Sequence, residues 1–261
     1  MFVYGGTYKV NDYQIARVDG CSLNRIGELD FSFANGGCAV TQGVIESELF
    51  LCFPSSGTSK CRVGKGPGGP FTEIPPSVTS HRYTKIAASD SKLENILRTD
   101  FKTYLEHILA VGCWNREHSQ AELFDHASNR YWFRIDDYPY HRDIHEYSML
   151  YHNNAFYVFG GHAWKANPNR FDDIARLDAV TYKWSKAGQL NQARSQMATI
   201  WSQDHFLVFG GADNNNEILP TEKCYFSSEV EVKCLQQTPE VQFVEWSFSE
   251  LFNVEINFCL D

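Results

Sequence analysis

The sequence predicts an all-β fold, and two observations support this prediction. Short apolar runs that end at a turn recur along the 261 residues, in FVYGG, LFLCFP, ILAVGC, FYVFGG and FLVFGG. Their landmark residues Gly5, Phe53, Gly112, Gly160 and Gly210 are 48, 59, 48 and 50 residues apart. Other strand-like segments lie between these runs, so each unit reads as four short strands separated by turns. Four-stranded units repeated at this period are typical of the blades of a β-propeller.

Glycines and tryptophans recur at matching places in several units. Glycine at the end of a strand permits positive φ and close backbone approach, whereas tryptophan supplies bulk between adjacent sheets. We therefore predict a structural role for the residues of this blade motif, which are Gly5, Gly6, Gly112, Gly160, Gly161, Gly210, Gly211, Trp132 and Trp184.

The repeats indicate a single domain over residues 1–261, with blades that start near residues 2, 49, 108, 155 and 205. Two further strand patterns in the tail, 241–261, are expected to pair with the first blade and close the ring of five or six blades. Truncation of a longer parent is an alternative, and it would explain why no signal peptide is present. The segment 89–107 has helical spacing and is read as a short helix, a long hairpin or a solvated loop.

The strand ending in Gly-Gly, the third strand rich in Tyr and Phe, and the Trp in the fourth strand resemble kelch repeats. The resemblance is clear over roughly residues 108–240 and degenerate in the first two units. Segments such as QIARVDGCSLNRIGEL and CRVGKGPGGPFTEI also resemble divergent animal kelch-type proteins that are extracellular or of unknown function. This resemblance implies a kelch-type propeller.

Composition excludes some classes of function. The net charge is −9 and no cluster of Lys and Arg is present, so binding to nucleic acid or to an acidic membrane surface is not expected. No apolar run reaches the roughly 18 residues that a membrane-spanning helix needs.

The eight cysteines are distributed unusually. Six of them form three locally spaced pairs, which are candidate disulfides: Cys21 and Cys38, Cys52 and Cys61, and Cys224 and Cys234. Disulfides would place the protein in an oxidising compartment, and the kelch resemblance also favours the secretory pathway or the extracellular space. Buried free thiols are the alternative reading, and the N-terminus has no signal-peptide pattern, which agrees with a cytoplasmic protein.

Three motifs of known types fail on their context. GKGPGG at 64–69 matches a dinucleotide-binding pattern, but prolines at 67 and 70 interrupt it and a strand-like segment follows, so we read it as a turn. HRDIHEYS at 141–148 lacks the other parts of a kinase, although His141 and His145 could approach each other and hold a metal ion. ADNNNE at 212–217 lacks the ligand spacing of a calcium loop and is typical of a turn.

Loops that follow the glycine-ended strands are expected to emerge on one face of a propeller. Aromatic and polar residues concentrate there, and the candidate interaction residues are Trp114, Arg116, His118, His162, Trp164, Lys165, Asn167, Arg170 and Asp213. We expect a non-catalytic scaffold that binds a protein partner through these loops and requires no cofactor. The alternative is an enzyme or a carbohydrate-binding protein that uses a pocket at the central axis.

Overall fold

The structure is a computed structural model that describes residues 2–4, 14–19, 22–31, 33, 36–42, 47–54, 59–65, 69–81, 84–89, 107–113, 119–126, 130–163, 166, 168–202 and 204–236. Every secondary-structure element in this described part is a β-strand, which confirms the predicted all-β class. The segment 89–107 lies outside the described residues except for Ser89 and His107, and the tail 241–261 lies outside them completely.

Nineteen strands in this described part form five successive antiparallel meanders. The first meander contains β1 (Phe2–Tyr4), β2 (Gln14–Asp19) and β3 (Ser22–Glu28). The second contains β4 (Gly37–Gln42), β5 (Ser47–Cys52), β6 (Cys61–Lys65) and β7 (Phe71–Ile74). The third contains β8 (Ile86–Ala88), β9 (His107–Val111), β10 (Ala121–Asp125) and β11 (Tyr131–Arg134).

The fourth and fifth meanders join into one eight-stranded sheet. The fourth contains β12 (Ser148–His152), β13 (Ala155–Phe159), β14 (Asp173–Asp178) and β15 (Trp184–Gln189). The fifth contains β16 (Ala198–Ser202), β17 (His205–Phe209), β18 (Glu222–Phe226) and β19 (Val232–Gln236). Their last strands, β15 and β19, pair in parallel, with Gly188 opposite Val232. A Cβ atom on Gly188 would lie 2.1 Å from the carbonyl oxygen of Val232, so this junction requires glycine.

From the second to the fifth, successive meanders pack against each other through apolar cores. In β13, Phe156 and Val158 point into a core shared with the third meander, whereas Tyr157 and Phe159 point into a core shared with the fifth. All five residues of this strand are buried, because the alternating side chains of a strand point to opposite faces and both faces are covered. The first strands of the last four meanders, β4, β8, β12 and β16, also approach one another in turn.

The glycines that follow β9, β13 and β17 have positive φ, a backbone conformation that glycine adopts more readily than other residues. Gly112, Gly160 and Gly210 have φ of 65°, 53° and 56°, and the following Gly161 and Gly211 have φ of 115° and 80°. Gly5 and Gly6 lie outside the described residues.

The two tryptophans of the blade motif pack where neighbouring meanders meet. Trp132 is buried and contacts Phe53 of the second meander, with ring centroids 5.5 Å apart. Trp184 is partly buried, packs edge-to-face on Tyr138 and donates its indole N–H to the carbonyl of Asp136 at 2.9 Å.

Buried polar pairs hold the connections between meanders, and the sequence analysis missed them. In the fifth meander, Glu222 accepts hydrogen bonds from the backbone N–H groups of Asn191 and Gln192 at 2.7 and 3.2 Å and from the Arg194 guanidinium. Both Glu222 and Arg194 are completely buried.

Glu122 has the same role in the third meander. It accepts hydrogen bonds from the backbone N–H groups of Val78 and Thr79 at 3.0 and 2.8 Å, and it faces His81. Burial alone would raise the pKa of Glu122, but the hydrogen bonds from His81 and Thr79 outweigh burial and hold this pKa below its usual value.

Two of the predicted cysteine pairs are at disulfide distance. Cys52 and Cys61 are opposite each other on β5 and β6, with an S–S distance of 2.06 Å. Cys224 and Cys234 are opposite each other on β18 and β19, with an S–S distance of 2.03 Å. For the third pair, Cys38 is buried and Cys21 lies outside the described residues.

Candidate functional site

The loops that follow β13 and β17 have the same backbone pattern. His162 forms isolated bridges with His145 and Arg170, and Ala212 forms the equivalent bridges with Ser195 and Ile218. Residues 145 and 195, and likewise 162 and 212, are therefore equivalent positions in the fourth and fifth meanders. The two loops therefore share the bridges at their base and carry different side chains at the bridged positions.

Arg170 ties the loop of the fourth meander to the loop of the fifth. Its Nε donates to Ser195 Oγ at 2.9 Å, its Nη2 donates to Asn216 Oδ1 at 2.8 Å, and its Nη1 donates to the carbonyl of Asp213. Its backbone N–H donates to Asn214 Oδ1 at 3.0 Å. The structure thus brings together Arg170 and Asp213, which the sequence analysis assigned to neighbouring loops.

Asp213 organises the loop that carries it. Its Oδ1 accepts hydrogen bonds from the backbone N–H groups of Asn215 and Glu217, at 2.8 and 2.9 Å. The hydrogen bond from Glu217, with that from Asn215 and the nearby charge of Arg170, lowers the pKa of the Asp213 carboxyl. Asn216 has a φ of 63°, which asparagine tolerates better than most residues, so ADNNNE forms a turn.

The outer surface of this loop is available for contact. The five consecutive residues 214–218, which we call the rim, are exposed, and they combine amide groups, one carboxylate and Ile218, which is 47% exposed. Because Arg170 and Asp213 fix the backbone beneath it, the rim is an ordered polar surface with one apolar side chain.

Beside Arg170, three side chains form what we call the histidine cluster: His145, Glu146 and His162. His162 Nδ1 lies 3.1 Å from His145 Nε2 and 3.7 Å from Glu146 Oε2. Both histidines are buried, and the Glu146 side chain is 26% exposed. The cluster therefore combines two imidazoles and one carboxylate at the base of the loop that follows β13.

Both imidazoles of the cluster are neutral at neutral pH. Burial, and then the proximity of His145, lowers the pKa of His162 to about 4. Burial also lowers the pKa of His145, although a hydrogen bond to the carbonyl of Asp143 opposes this shift. That carbonyl lies 2.9 Å from His145 Nδ1 and can only accept, so Nδ1 carries the proton and Nε2 presents its lone pair to His162.

The structure pairs His141 differently from the sequence-based suggestion. The sequence suggests His141 and His145 as a metal-binding pair, but His141 Nε2 lies 2.8 Å from Asp173 Oδ2 and the His141 ring stacks on Phe171. His145 instead contacts His162. Asp143 and Glu146, with φ of 61° and 53°, change the direction of the chain between these side chains, so their spacing in the sequence does not predict their partners.

Of the nine predicted interaction residues, the structure describes three, His162, Arg170 and Asp213, and it places them in this one region. The others lie outside the described residues, and they are Trp114, Arg116, His118, Trp164, Lys165 and Asn167. The sequence analysis missed Glu146 and Ser195. Alignment of HRDIHEYS with NQARSQMA at a spacing of 50 residues places Ser195 opposite His145 and Gln196 opposite Glu146, and this signal is present in the sequence.

Comparison with known proteins gives a fold but no family. No protein-family model and no curated protein matches the sequence. Among the solved structures, the one titled "Structure of YjhT" is similar, with a TM-score of 0.67 over 90% of this chain and 80% of that chain, at 10% sequence identity. At this identity the similarity concerns the fold alone. Among the described residues, no helix is long and apolar enough to cross a membrane.

Proposed function

We propose that this protein is a kelch-type β-propeller that binds a protein partner through the loops after β13 and β17, without catalysing a reaction. Three features support a propeller: the repeated meanders, the cores between successive meanders, and the sequential approach of their first strands. The Gly-Gly turns and the tryptophans between meanders agree with kelch-type blades. Five or six blades would accommodate the described meanders and the tail.

The observation that carries the binding proposal is the hydrogen-bond network of Arg170. It connects two loops of neighbouring meanders through Ser195, Asp213 and Asn216. Loops that are already ordered lose less conformational entropy when they bind, so this network lowers the free-energy cost of association. The rim offers amide groups for hydrogen bonding and Ile218 for apolar contact.

The cysteine pairs support an extracellular or secretory-pathway location for this scaffold. Cys52–Cys61 and Cys224–Cys234 link strands within single hairpins, and disulfides persist mainly in oxidising compartments.

Two matched substitutions test the binding surface. Ile218→Asp places a charge on the rim, and Val180→Asp makes the same change in the hairpin at the opposite end of the fourth meander, where Val180 is 48% exposed. Proteins captured from an extract of the source organism are identified by quantitative mass spectrometry, and each candidate is purified and titrated against both variants. We expect Ile218→Asp to weaken binding at least about tenfold and Val180→Asp to leave it unchanged.

Equal effects of the two substitutions would contradict the proposal, and so would the absence of any partner that binds saturably.

The alternative of an enzyme or a carbohydrate-binding protein is favoured by one observation, the convergence of His145, Glu146 and His162 beside Arg170. Binding or turnover of a small carbohydrate that His162→Ala abolishes and Ile218→Asp does not would support this alternative. Both histidines are buried and so are poorly placed to contact a carbohydrate at the surface. A scaffold that binds a protein partner therefore accounts better for the exposed rim.

A further inference from the structure

We propose that His145, Glu146 and His162 form a binding site for a divalent transition-metal ion of the zinc type. This site goes beyond the proposed interaction surface and does not depend on it. The potential ligand atoms of the three residues all lie within 4.8 Å of one another.

Two of the three distances between these atoms are close to those of tetrahedral coordination. Zinc binds imidazole nitrogen and carboxylate oxygen at about 2.0–2.2 Å, which places adjacent tetrahedral ligands roughly 3.3 Å apart. In the structure, His162 Nδ1 is 3.1 Å from His145 Nε2 and 3.7 Å from Glu146 Oε2. Shifts of a few tenths of an ångström in these side chains would bring both distances to the required value.

The metal-free hydrogen bonding already orients the ligands. His145 donates its Nδ1–H to the carbonyl of Asp143, which fixes the ring and directs the Nε2 lone pair into the cluster. Hydrogen bonds of this kind orient histidine ligands in many metal sites. Nε2 of His145 has no proton, so His162 Nδ1–H donates the hydrogen bond between the two rings. When a metal ion binds between the rings, this proton would move from Nδ1 to Nε2 of His162.

Comparison with the fifth meander shows that the fold does not require these side chains. The positions equivalent to His145, Glu146 and His162 are occupied by Ser195, Gln196 and Ala212, on the same bridged backbone. Gln196 has a φ of 60°, close to the 53° of Glu146. The convergence of three metal-binding side chains is therefore a property of the fourth meander and not a consequence of backbone geometry.

The types of ligand indicate the class of metal. Two imidazoles and one carboxylate, with a fourth position left open, are ligands that zinc and similar ions prefer, whereas calcium and magnesium prefer oxygen alone. The charge of Arg170 opposes a cation at this place, but its N–H groups point to Ser195, Asp213 and Asn216 on the neighbouring loop. The Glu146 carboxylate supplies the compensating negative charge, and its partial exposure provides access from solvent.

The experiment is a calorimetric titration of the oxidised full chain with Zn²⁺ after any reactive thiols have been alkylated, repeated with Co²⁺ by visible absorption. The variants are His162→Ala and Glu146→Gln, which introduce the residues that the fifth meander has at the equivalent positions. The control is His205→Gln, which removes a histidine that also lies beside a carboxylate, 2.7 Å from Asp204.

We expect the wild type to bind one equivalent of Zn²⁺ at this site and to give tetrahedral Co²⁺ absorption bands. His162→Ala and Glu146→Gln should each weaken binding at least about tenfold, while His205→Gln should leave it unchanged. Circular dichroism shows whether each variant retains its fold. Absence of saturable Zn²⁺ binding to the wild type would overturn the proposal, as would binding that neither His162→Ala nor Glu146→Gln weakens.

Discussion

Replacing Glu222 with alanine should destabilise the protein severely, because it leaves a buried positive charge without a counter-ion. The guanidinium of Arg194 is completely buried, and burial lowers its pKa. Its other strong hydrogen bonds go to the neutral carbonyls of Gly210 and Pro220, at 2.9 and 2.8 Å. Removing one partner of a buried ion pair typically costs about 3–5 kcal/mol, and we expect Glu222→Ala to lie in this range.

The fourth meander supplies the control for this prediction. Ile144 and Ala175 occupy the positions equivalent to Arg194 and Glu222, so the same backbone accommodates an apolar pair. The double variant Arg194→Ile/Glu222→Ala removes the charge together with its counter-ion. Replacing both members of a buried pair by apolar residues of similar volume is often nearly neutral. We expect the double variant to cost about 1–2 kcal/mol, because alanine is smaller than glutamate and the carbonyls of Gly210 and Pro220 lose the Arg194 donor.

Urea unfolding of the oxidised protein, followed by circular dichroism, measures both free energies. The two backbone N–H groups that lose Glu222 as acceptor belong to Asn191 and Gln192, which are exposed and can bind water instead. The single variant should therefore be less stable than the double variant by roughly 2–3 kcal/mol. If Glu222→Ala costs less than about 1 kcal/mol, or if the double variant is no more stable than the single one, the argument from the unpaired charge fails.

Three further predictions concern other parts of the fold. Burial lowers the pKa of His107, so the unfolded chain binds a proton that the folded chain excludes as the pH falls below about 6.5. His107→Phe should therefore reduce the loss of stability that urea titrations measure between about pH 7 and 5, and an unchanged loss would contradict this. Gly188→Ala places a Cβ atom 2.1 Å from the Val232 carbonyl oxygen, so it should lower the urea midpoint and speed hydrogen exchange in β15 and β19. Unaltered exchange in these two strands would argue against the clash. Replacing Cys224 and Cys234, 10 residues apart, by serine should cost roughly 2–3 kcal/mol of unfolding free energy; a urea midpoint equal to that of the wild type refutes this estimate.

Periodicity made the strands predictable from the sequence. Runs of consecutive apolar residues before Gly160 and Gly210 identified β13 and β17. All five positions of β13 are apolar because both faces of this strand are covered. The same period placed Arg170 and Asp213 on neighbouring loops. These features depend on local spacing and on equivalence between repeats, both of which can be read directly from the sequence.

The partners of individual side chains could not be predicted in this way. His145 contacts a residue 17 positions away, because two loops pair through an isolated bridge, and residues with positive φ at 143 and 146 break the alternation that would otherwise assign faces. The ion pair between Arg194 and Glu222 spans 28 positions and joins the connection between β15 and β16 to β18. Such contacts follow from tertiary packing, for which a single sequence carries no periodic signal.

Equivalent positions in the fourth and fifth meanders separate what the fold needs from what a function needs. Both meanders share the Gly-Gly turn, the bridges that follow it and the positive φ at residues 146 and 196. Serine and alanine at 195 and 212 occupy the same bridged positions, so the bridges themselves do not require His145 and His162. The two histidines contact each other, with His162 Nδ1 3.1 Å from His145 Nε2, and Glu146 lies beside them. Two imidazoles and one carboxylate converge where the equivalent positions carry Ser195, Gln196 and Ala212, which makes the histidine cluster the first place to test for a ligand.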